Sequence, residues 1–291
     1  MTVKPYQADL LLLLVGISWG TTFILVQEAI RDVPVYTFLF WRFFLAFLFM
    51  LLLAIRQLPR LTLPTLAAAI LLGLINLSAY AFQTFGLTFT LSSSVAFITG
   101  LFVILVPLIA FFVFHQRVAR SVWVGSVMAI VGLWFLTTQG TLSAGWGEVY
   151  AFVCAILFAL HVLFTGHYAR RYDVLLLVTF QLGTVGMGAG LLGLAVDHTL
   201  LPATLTRPFI IALIITVLFA TVFAFWVQTS MQRYTTPSRT ALILTMEPLS
   251  AAVFSYFYGG EVLSILQLMG GGLIVAGMVF AEWGADNTST T

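Results

Sequence analysis

Residues 43–55 read FFLAFLFMLLLAI, thirteen positions without a charged or strongly polar side chain. A strand of a membrane barrel would alternate polar and apolar positions, whereas this run is apolar on every face and so reads as a helix. The run LLLLLVGISW at 10–19 has the same character. Working outward from these two, apolar stretches of roughly 20 residues, the length that crosses a bilayer as helix, follow one another along nearly the whole chain. The predicted spans are 8–30, 34–56, 64–87, 91–114, 120–138, 146–168, 173–196, 207–231, 236–258 and 261–283. An all-α integral membrane protein with ten transmembrane helices is therefore expected.

Composition points the same way. Of 291 residues, 61% are hydrophobic and 8% charged, against about 25% charged in an average soluble domain. No soluble domain remains to be placed. Lys4 ahead of the first apolar run imitates a signal peptide, but no convincing small-residue cleavage site follows, so this run is read as the first helix. Cys154 is the single cysteine, which excludes an internal disulfide and makes it an apolar filler within its helix.

The basic residues orient the chain. Lys4, Arg56, Arg60, Arg117, Arg120, Arg170, Arg171, Arg233 and Arg239 fall on or next to the side of the N-terminus, Arg31 and Arg207 fall opposite, and Arg42 lies inside a span. Basic loops are biased to the cytoplasm, so both termini are expected there, in an inner (cytoplasmic) or plasma membrane. The net charge of +2 reflects these loops and argues for no nucleic-acid partner.

Sliding the chain along itself by 145 residues pairs Gln83 with Gln228, Thr84 with Thr229, Thr90 with Thr235, Gly125 with Gly270 and Gly132 with Gly277, among others. The first two helices of each half align instead at 139, which sets Trp19 opposite Phe158 and Arg42 opposite Gln181. The division is residues 1–138 as a first five-helix repeat, 139–145 as a linker and 146–291 as a second repeat. An odd number of helices per repeat makes the second enter the membrane from the opposite side. Many secondary transporters share this inverted arrangement, with their substrate site near the midplane between the repeats. A duplication retained for packing alone is the alternative.

The stretches WGTTFILVQEA, FWRFFLAF, GLTFTLSSSVAFITGLFVILVPLIAFF and TPSRTALILTMEPLSAAVFSYFYGGEVLSILQLMGGGLIVAGMVF resemble the EamA-type family of the drug/metabolite transporter superfamily. The resemblance covers both halves. It implies ten helices and export of small metabolites, amino acids prominent among them, with YddG-type aromatic amino-acid exporters the nearest kind. Two departures stand out: the first half reads HQRVA where the second reads GGEVL, and Phe102 occupies the slot of Glu247.

The residues that could carry transport are read from depth. At about 1.5 Å of rise per residue, Trp19, Arg42, Asn76 and Glu247 all come near the middle of a hydrocarbon core about 30 Å thick. Arg42 needs a partner there: Glu247, Glu28 or a substrate carboxylate. Glu247 is read as a proton-titrating or ammonium-binding group, with a buried structural pair as the alternative. Pro248 cannot donate to the carbonyl of Leu244, so the ninth helix should bend where Glu247 emerges. Pro107 is the corresponding candidate hinge of the first half.

Asn76, Tyr80 and Gln83 share one helix face, and their repeat mates Thr221, Phe225 and Gln228 share the matching face of the eighth helix. These faces either line a pathway or fasten helices together in lipid. Trp19, Tyr80 and Phe225 would wall a site, and His161 could relay protons or be a hydrogen-bonded structural histidine.

Other motifs carry no chemistry. GISWG at 16–20 matches a nucleophile pattern but lies within a membrane helix. His161 and His167 do not share a helix face, and no metal-ligand spacing occurs, so neither metal nor other cofactor is expected. The reading is a secondary carrier that exports a small amphipathic metabolite, most of all an aromatic or neutral amino acid, by alternating access. It would work as a monomer or weak homodimer in the lipid bilayer, with protons as a possible coupling ion. A multidrug or other metabolite exporter of the same superfamily is the alternative. A membrane-embedded enzyme or a receptor is the rival from outside the class.

Overall fold

The computed structural model describes residues 5–137, 145–202, 204–259 and 264–286. The described residues are helical with short connections. In chain order the helices are α1 (Tyr6–Ala29), α2 (Val35–Ala54), α3 (Leu63–Phe89), α4 (Ser92–Phe112), α5 (Arg120–Thr137), α6 (Trp146–Tyr168), α7 (Val174–Asp197), α8 (Arg207–Met231), α9 (Pro237–Tyr258) and α10 (Ile265–Asp286). Eight of them, all but α5 and α10, are long and apolar enough to cross a membrane, and those two carry shorter apolar cores at Arg120–Gly132 and Leu268–Gly277. The first nine agree with the predicted spans to within two residues at each end. The expected linker lies, except for Gly145, outside the described residues, as do Gly260 to Leu263 ahead of α10.

The helix starts follow from local chemistry. Thr62, Asp173, Thr206 and Thr236 each accept a hydrogen bond on the side chain from the backbone N–H three residues on, and so begin α3, α7, α8 and α9. A proline stands in the first two positions of α3, α8 and α9, where its missing N–H costs nothing. Large apolar side chains such as Leu52, Leu191, Phe257 and Ile265 are exposed on the outside of the bundle, the surface a lipid environment favours.

Two close crossings set the architecture. In the first, α2 packs against α7: a methyl group on Gly186 would stand 2.8 Å from the backbone nitrogen of Phe44, and one on Gly183 would stand 2.9 Å from the ring of Phe47. In the second, α5 packs against α10, with Gly132 on the carbonyl of Gly270 and Gly277 on the carbonyl of Gly125. Small residues at these points let backbones approach, which in lipid is the main source of helix association. Phe44 and Gly183 stand 139 residues apart, as do Phe47 and Gly186, so the first crossing is one contact made twice between positions paired by that offset. The second crossing repeats the pattern with Gly125 and Gly270, Gly132 and Gly277.

α1 and α6 each pack on an interrupted helix of the other half of the chain. α1 packs on α9, where Gly20 admits the carbonyl of Glu247 and the hydroxyl of Ser250. α6 packs on α4. α9 breaks at Leu244–Thr245, immediately before Glu247 and Pro248, as its proline demands. Glu247 N–H then bonds back to the Leu244 carbonyl at 2.9 Å, and the Thr245 hydroxyl to that of Leu242 at 2.6 Å. α4 breaks as well, but at Leu101, the register mate of Met246; Pro107 sits inside the unbroken segment Phe102–Phe112. The first-half interruption is therefore displaced from the proline that was expected to cause it.

Candidate functional site

Between α1, α2, α3, α4, α6, α8 and α9 lies a buried cavity. Trp19, Arg42, Asn76, Tyr80, Gln83, Phe225, Gln228 and Glu247 all line it, and so does His161. Nine residues read from sequence as candidates from six helices thus converge on one space. Thr22, Phe102 and Phe158 also line it and were not foreseen as site residues, although Phe158 is the repeat mate of Trp19.

Arg42 is 3% exposed, and its position is built by the second half of the chain. Its Nε donates to the Thr221 hydroxyl at 2.9 Å and its Nη2 to the Ala220 carbonyl at 3.5 Å, both on α8. The guanidinium carbon stands 4.9 Å from the ring centroid of Tyr80 and 5.0 Å from that of Phe43, and those two centroids are 4.9 Å from each other, so the cation rests on one side of a Phe43–Tyr80 pair. The Trp19 indole N–H donates to the same Ala220 carbonyl at 2.7 Å. Neither carboxylate named as its partner is paired with it. Glu28 pairs with Arg31 on the surface at 2.9 Å, and among the described residues no ion pair joins Arg42 to Glu247. The reason is geometric: Arg42 is already engaged by α8, and Glu247 is carried by the α9 break on the same cavity without reaching it.

Across the cavity stands a neutral counterpart. Gln181 is the mate of Arg42, Asn76 that of Thr221 and His161 that of Thr22. Asn76 Nδ2 lies 3.1 Å from His161 Nε2, which also meets Gln181 Oε1 at 3.3 Å and the Thr165 hydroxyl at 3.3 Å. The Asn76 Oδ1, Gln181 Nε2 and Gln228 Oε1 atoms are buried and have no partner. Such atoms are costly unless something polar reaches them.

Aromatic rings fill the centre. Tyr80 and Phe225, repeat mates, lie 6.1 Å apart between centroids, with Trp19 5.7 Å from Phe225 and Phe158 5.4 Å from Tyr80. The remaining cavity is about 30 Å³, room for about two waters. A molecule of amino-acid size enters only if these rings move apart.

Side chains bridge the helices beyond the cavity at both ends. Near the N-terminal end of α1, Asp9 and Arg239 form a 2.7 Å ion pair, and Arg170 donates to the Thr235 carbonyl at 2.9 Å. At the opposite end Gln27 donates to the carbonyls of Leu87 and Thr90 at 3.1 and 3.0 Å, and the Thr90 hydroxyl bonds Glu148 at 2.8 Å.

Residues 7–138 and residues 145–283 match the EamA-like transporter family. The chain belongs to that family. Among curated proteins, this EamA-family chain is 30% identical over 283 residues, 96% of its own length and 87% of the other's, to a protein of Archaeoglobus fulgidus described as an uncharacterized transporter. A second protein of that organism, described in the same words, is 41% identical over 49 residues, 17% of this chain and 18% of its own. A crystal structure described only as that of a protein superposes with a TM-score of 0.78, covering 97% of this chain and 99% of the other at 16% identity, a likeness of fold alone. The EamA-family chain is therefore a multi-pass membrane protein of a transporter family in the drug/metabolite superfamily.

Proposed function

We propose that this protein is a secondary carrier that exports small zwitterionic amphipathic metabolites, aromatic or neutral amino acids foremost, by alternating access across an inner or plasma membrane. The observation that carries the reading is a guanidinium and a carboxylate, Arg42 and Glu247, buried on one aromatic-walled cavity without being paired to each other. Charges in a membrane interior are expensive and mark substrate or ion pathways. A zwitterion brings one charge of each sign: its carboxylate to Arg42, its ammonium to Glu247 and to the unpartnered amide oxygens, its side chain to Trp19, Tyr80 and Phe225. Glu247 with His161 on the same cavity also provides groups through which a coupling proton can pass.

The exchanged glycine contacts of α2 with α7 and α5 with α10 support two five-helix repeats of opposite orientation, ten membrane crossings and termini on one side, by the basic-loop bias the cytoplasm. The α9 and α4 interruptions beside the cavity, with Pro248 at the first, are the positions where the helices would flex between access states. Rocking of one repeat on the other opens the Asp9–Arg239 end and the Gln27–Thr90 end in turn.

Counterflow in proteoliposomes tests the whole reading. Vesicles loaded with an unlabelled amino acid should accumulate the labelled one transiently and saturably, and unmodified. Saturable counterflow of lipophilic drugs with none of any amino acid would instead assign the cavity to the multidrug reading; binding without flux would assign a receptor.

A further inference from the structure

The eighth helix is not regular. Residues Thr216–Phe223 form a π-helical segment, whereas their repeat mates 71–78 lie inside the unbroken α-helix Leu63–Phe89. A π-helical turn is rare and costs hydrogen-bond geometry, and it is kept chiefly where function uses it. Here the wide turn carries both groups that hold Arg42. The Ala220 carbonyl accepts from Trp19 of α1 and from Arg42 of α2, and the neighbouring Thr221 hydroxyl accepts from Arg42 Nε.

The mirror position shows what the segment adds. On the regular α3 the mate of Thr221 is Asn76, and the mate of Arg42 is Gln181, neutral and joined to Asn76 through His161. A buried guanidinium therefore occurs on the side with the π-helical segment and not on the side without it.

We infer that Thr221, presented by the π-helical segment of α8, is a positioning residue that holds Arg42 in the orientation needed to bind the substrate's carboxylate, and so sets selectivity for carboxylate-bearing substrates over the corresponding amines. The proposal rests on the reading of Arg42 given above. Thr221 and the Ala220 carbonyl take the Nε edge and one Nη2 donor, and five N–H donors in a fixed fork leave others for the ligand. With the Nε edge anchored at 2.9 Å and the guanidinium resting against the Phe43–Tyr80 pair, it meets an incoming carboxylate in one orientation. Loss of the anchor lets it turn.

The test compares uptake of labelled L-phenylalanine and 2-phenylethylamine, which differ by the carboxylate, in proteoliposomes of the wild type, Thr221→Val and Thr221→Ser. In Thr221→Val the KM for L-phenylalanine should rise about tenfold, the loss expected for one hydrogen bond to a charged group, with kcat within about twofold and the KM for the amine unchanged. Thr221→Ser, which keeps the hydroxyl, should return the wild-type ratio. If the valine variant does not insert, Thr221→Ala repeats the comparison without a second methyl to crowd Arg42. An equal rise for both compounds, or a serine variant as impaired as valine, overturns the positioning role alone. A wild type with no preference for L-phenylalanine overturns both this role and the Arg42 reading beneath it.

Discussion

Gly132 of α5 rests against Gly270 of α10 so closely that a methyl group on Gly132 would stand 2.6 Å from the Gly270 carbonyl oxygen. The mate of Gly132, Gly277, stands in the same relation to the mate of Gly270: 2.7 Å from the carbonyl of Gly125. One contact recurs at two positions 145 residues apart, and a backbone carbonyl at that distance cannot swing aside as a side chain can.

Gly132→Leu and Gly277→Leu should therefore each lower stability, and to a similar degree, by roughly 1–3 kcal/mol as overpacking does. Gly272→Ala should be tolerated, because nothing lies within 4 Å of an added Cβ there, and a helical alanine even gains a few tenths of a kcal/mol over glycine. Apparent Tm of the purified protein in detergent measures all three. A Gly132 variant as stable as the Gly272 variant would show that the two helices can part without cost.

Arg42→Lys should abolish preference for carboxylate-bearing substrates despite keeping the charge. A lysine has no planar fork, cannot hold the Thr221 hydroxyl and present a second edge together, and stacks poorly on the Tyr80 and Phe43 rings. Losing a charge-assisted hydrogen bond of roughly 1.5–3 kcal/mol raises KM by roughly 10-fold to 100-fold. Counterflow rates across a concentration series give the number. Wild-type KM in the lysine variant would mean that the site needs only a positive charge.

Why was so much of the site legible beforehand? Depth along apolar runs and the i, i+4, i+7 spacing of Asn76, Tyr80 and Gln83 place side chains on a face at a level, and both quantities are local to one helix. Nine named residues consequently fell on one cavity. The partners of Arg42 were not legible, because depth says which carboxylates are level with it and nothing about azimuth. Glu28 points to Arg31 on the surface, and Arg42 turned instead to Thr221, a neutral residue recognised only as a repeat mate of Asn76. The π-helical segment leaves no mark in TVLFATVF, an apolar run like those of the regular helices. The α4 break misled for a related reason: proline predicts a break when it cannot be accommodated, yet Pro107 is held within the helix and the chain yields at Leu101.

Glu247→Gln should separate exchange from proton coupling. Among the described residues Glu247 is 6% exposed and in no ion pair, so a proton is the simplest species to neutralise it when no substrate ammonium is present. Glutamine imitates the protonated carboxyl in shape and cannot titrate. Counterflow at equal pH on both sides should persist in the variant with a KM raised by several-fold, while an imposed pH gradient, which should speed the wild type, should leave the variant's rate unchanged. A variant still driven by the gradient would move the titrating role away from Glu247, with His161 next on the same cavity.

The proposed pathway is fastened at its two ends by different chemistry, and that difference predicts which end opens more readily when one side chain is changed. The Asp9–Arg239 pair is largely shielded, at 2.7 Å, and joins α1 to α9, the helix that carries Glu247. The opposite end relies on Gln27 spread over two backbone carbonyls, with Glu148 on the Thr90 hydroxyl. Cutting an ion pair forfeits a charge-assisted hydrogen bond of roughly 1.5–3 kcal/mol, whereas the two neutral bonds of Gln27 share one amide nitrogen and are worth about 1 kcal/mol or less each. Asp9→Asn should therefore populate the state open at the Asp9 end more than Gln27→Ala populates the state open at the other. Cys154 is buried and is the chain's one cysteine, so a Cys154→Ala background accepts a reporter thiol at Gln228, on the wall of the cavity. Its labelling by a membrane-impermeant maleimide in sealed vesicles of known orientation should rise several-fold from the Asp9 side in Asp9→Asn. The double exchange Asp9→Arg with Arg239→Asp should bring it back toward the parent. If the exchange fails to restore protection while the single variant is labelled faster, the ion pair is not what holds that end closed.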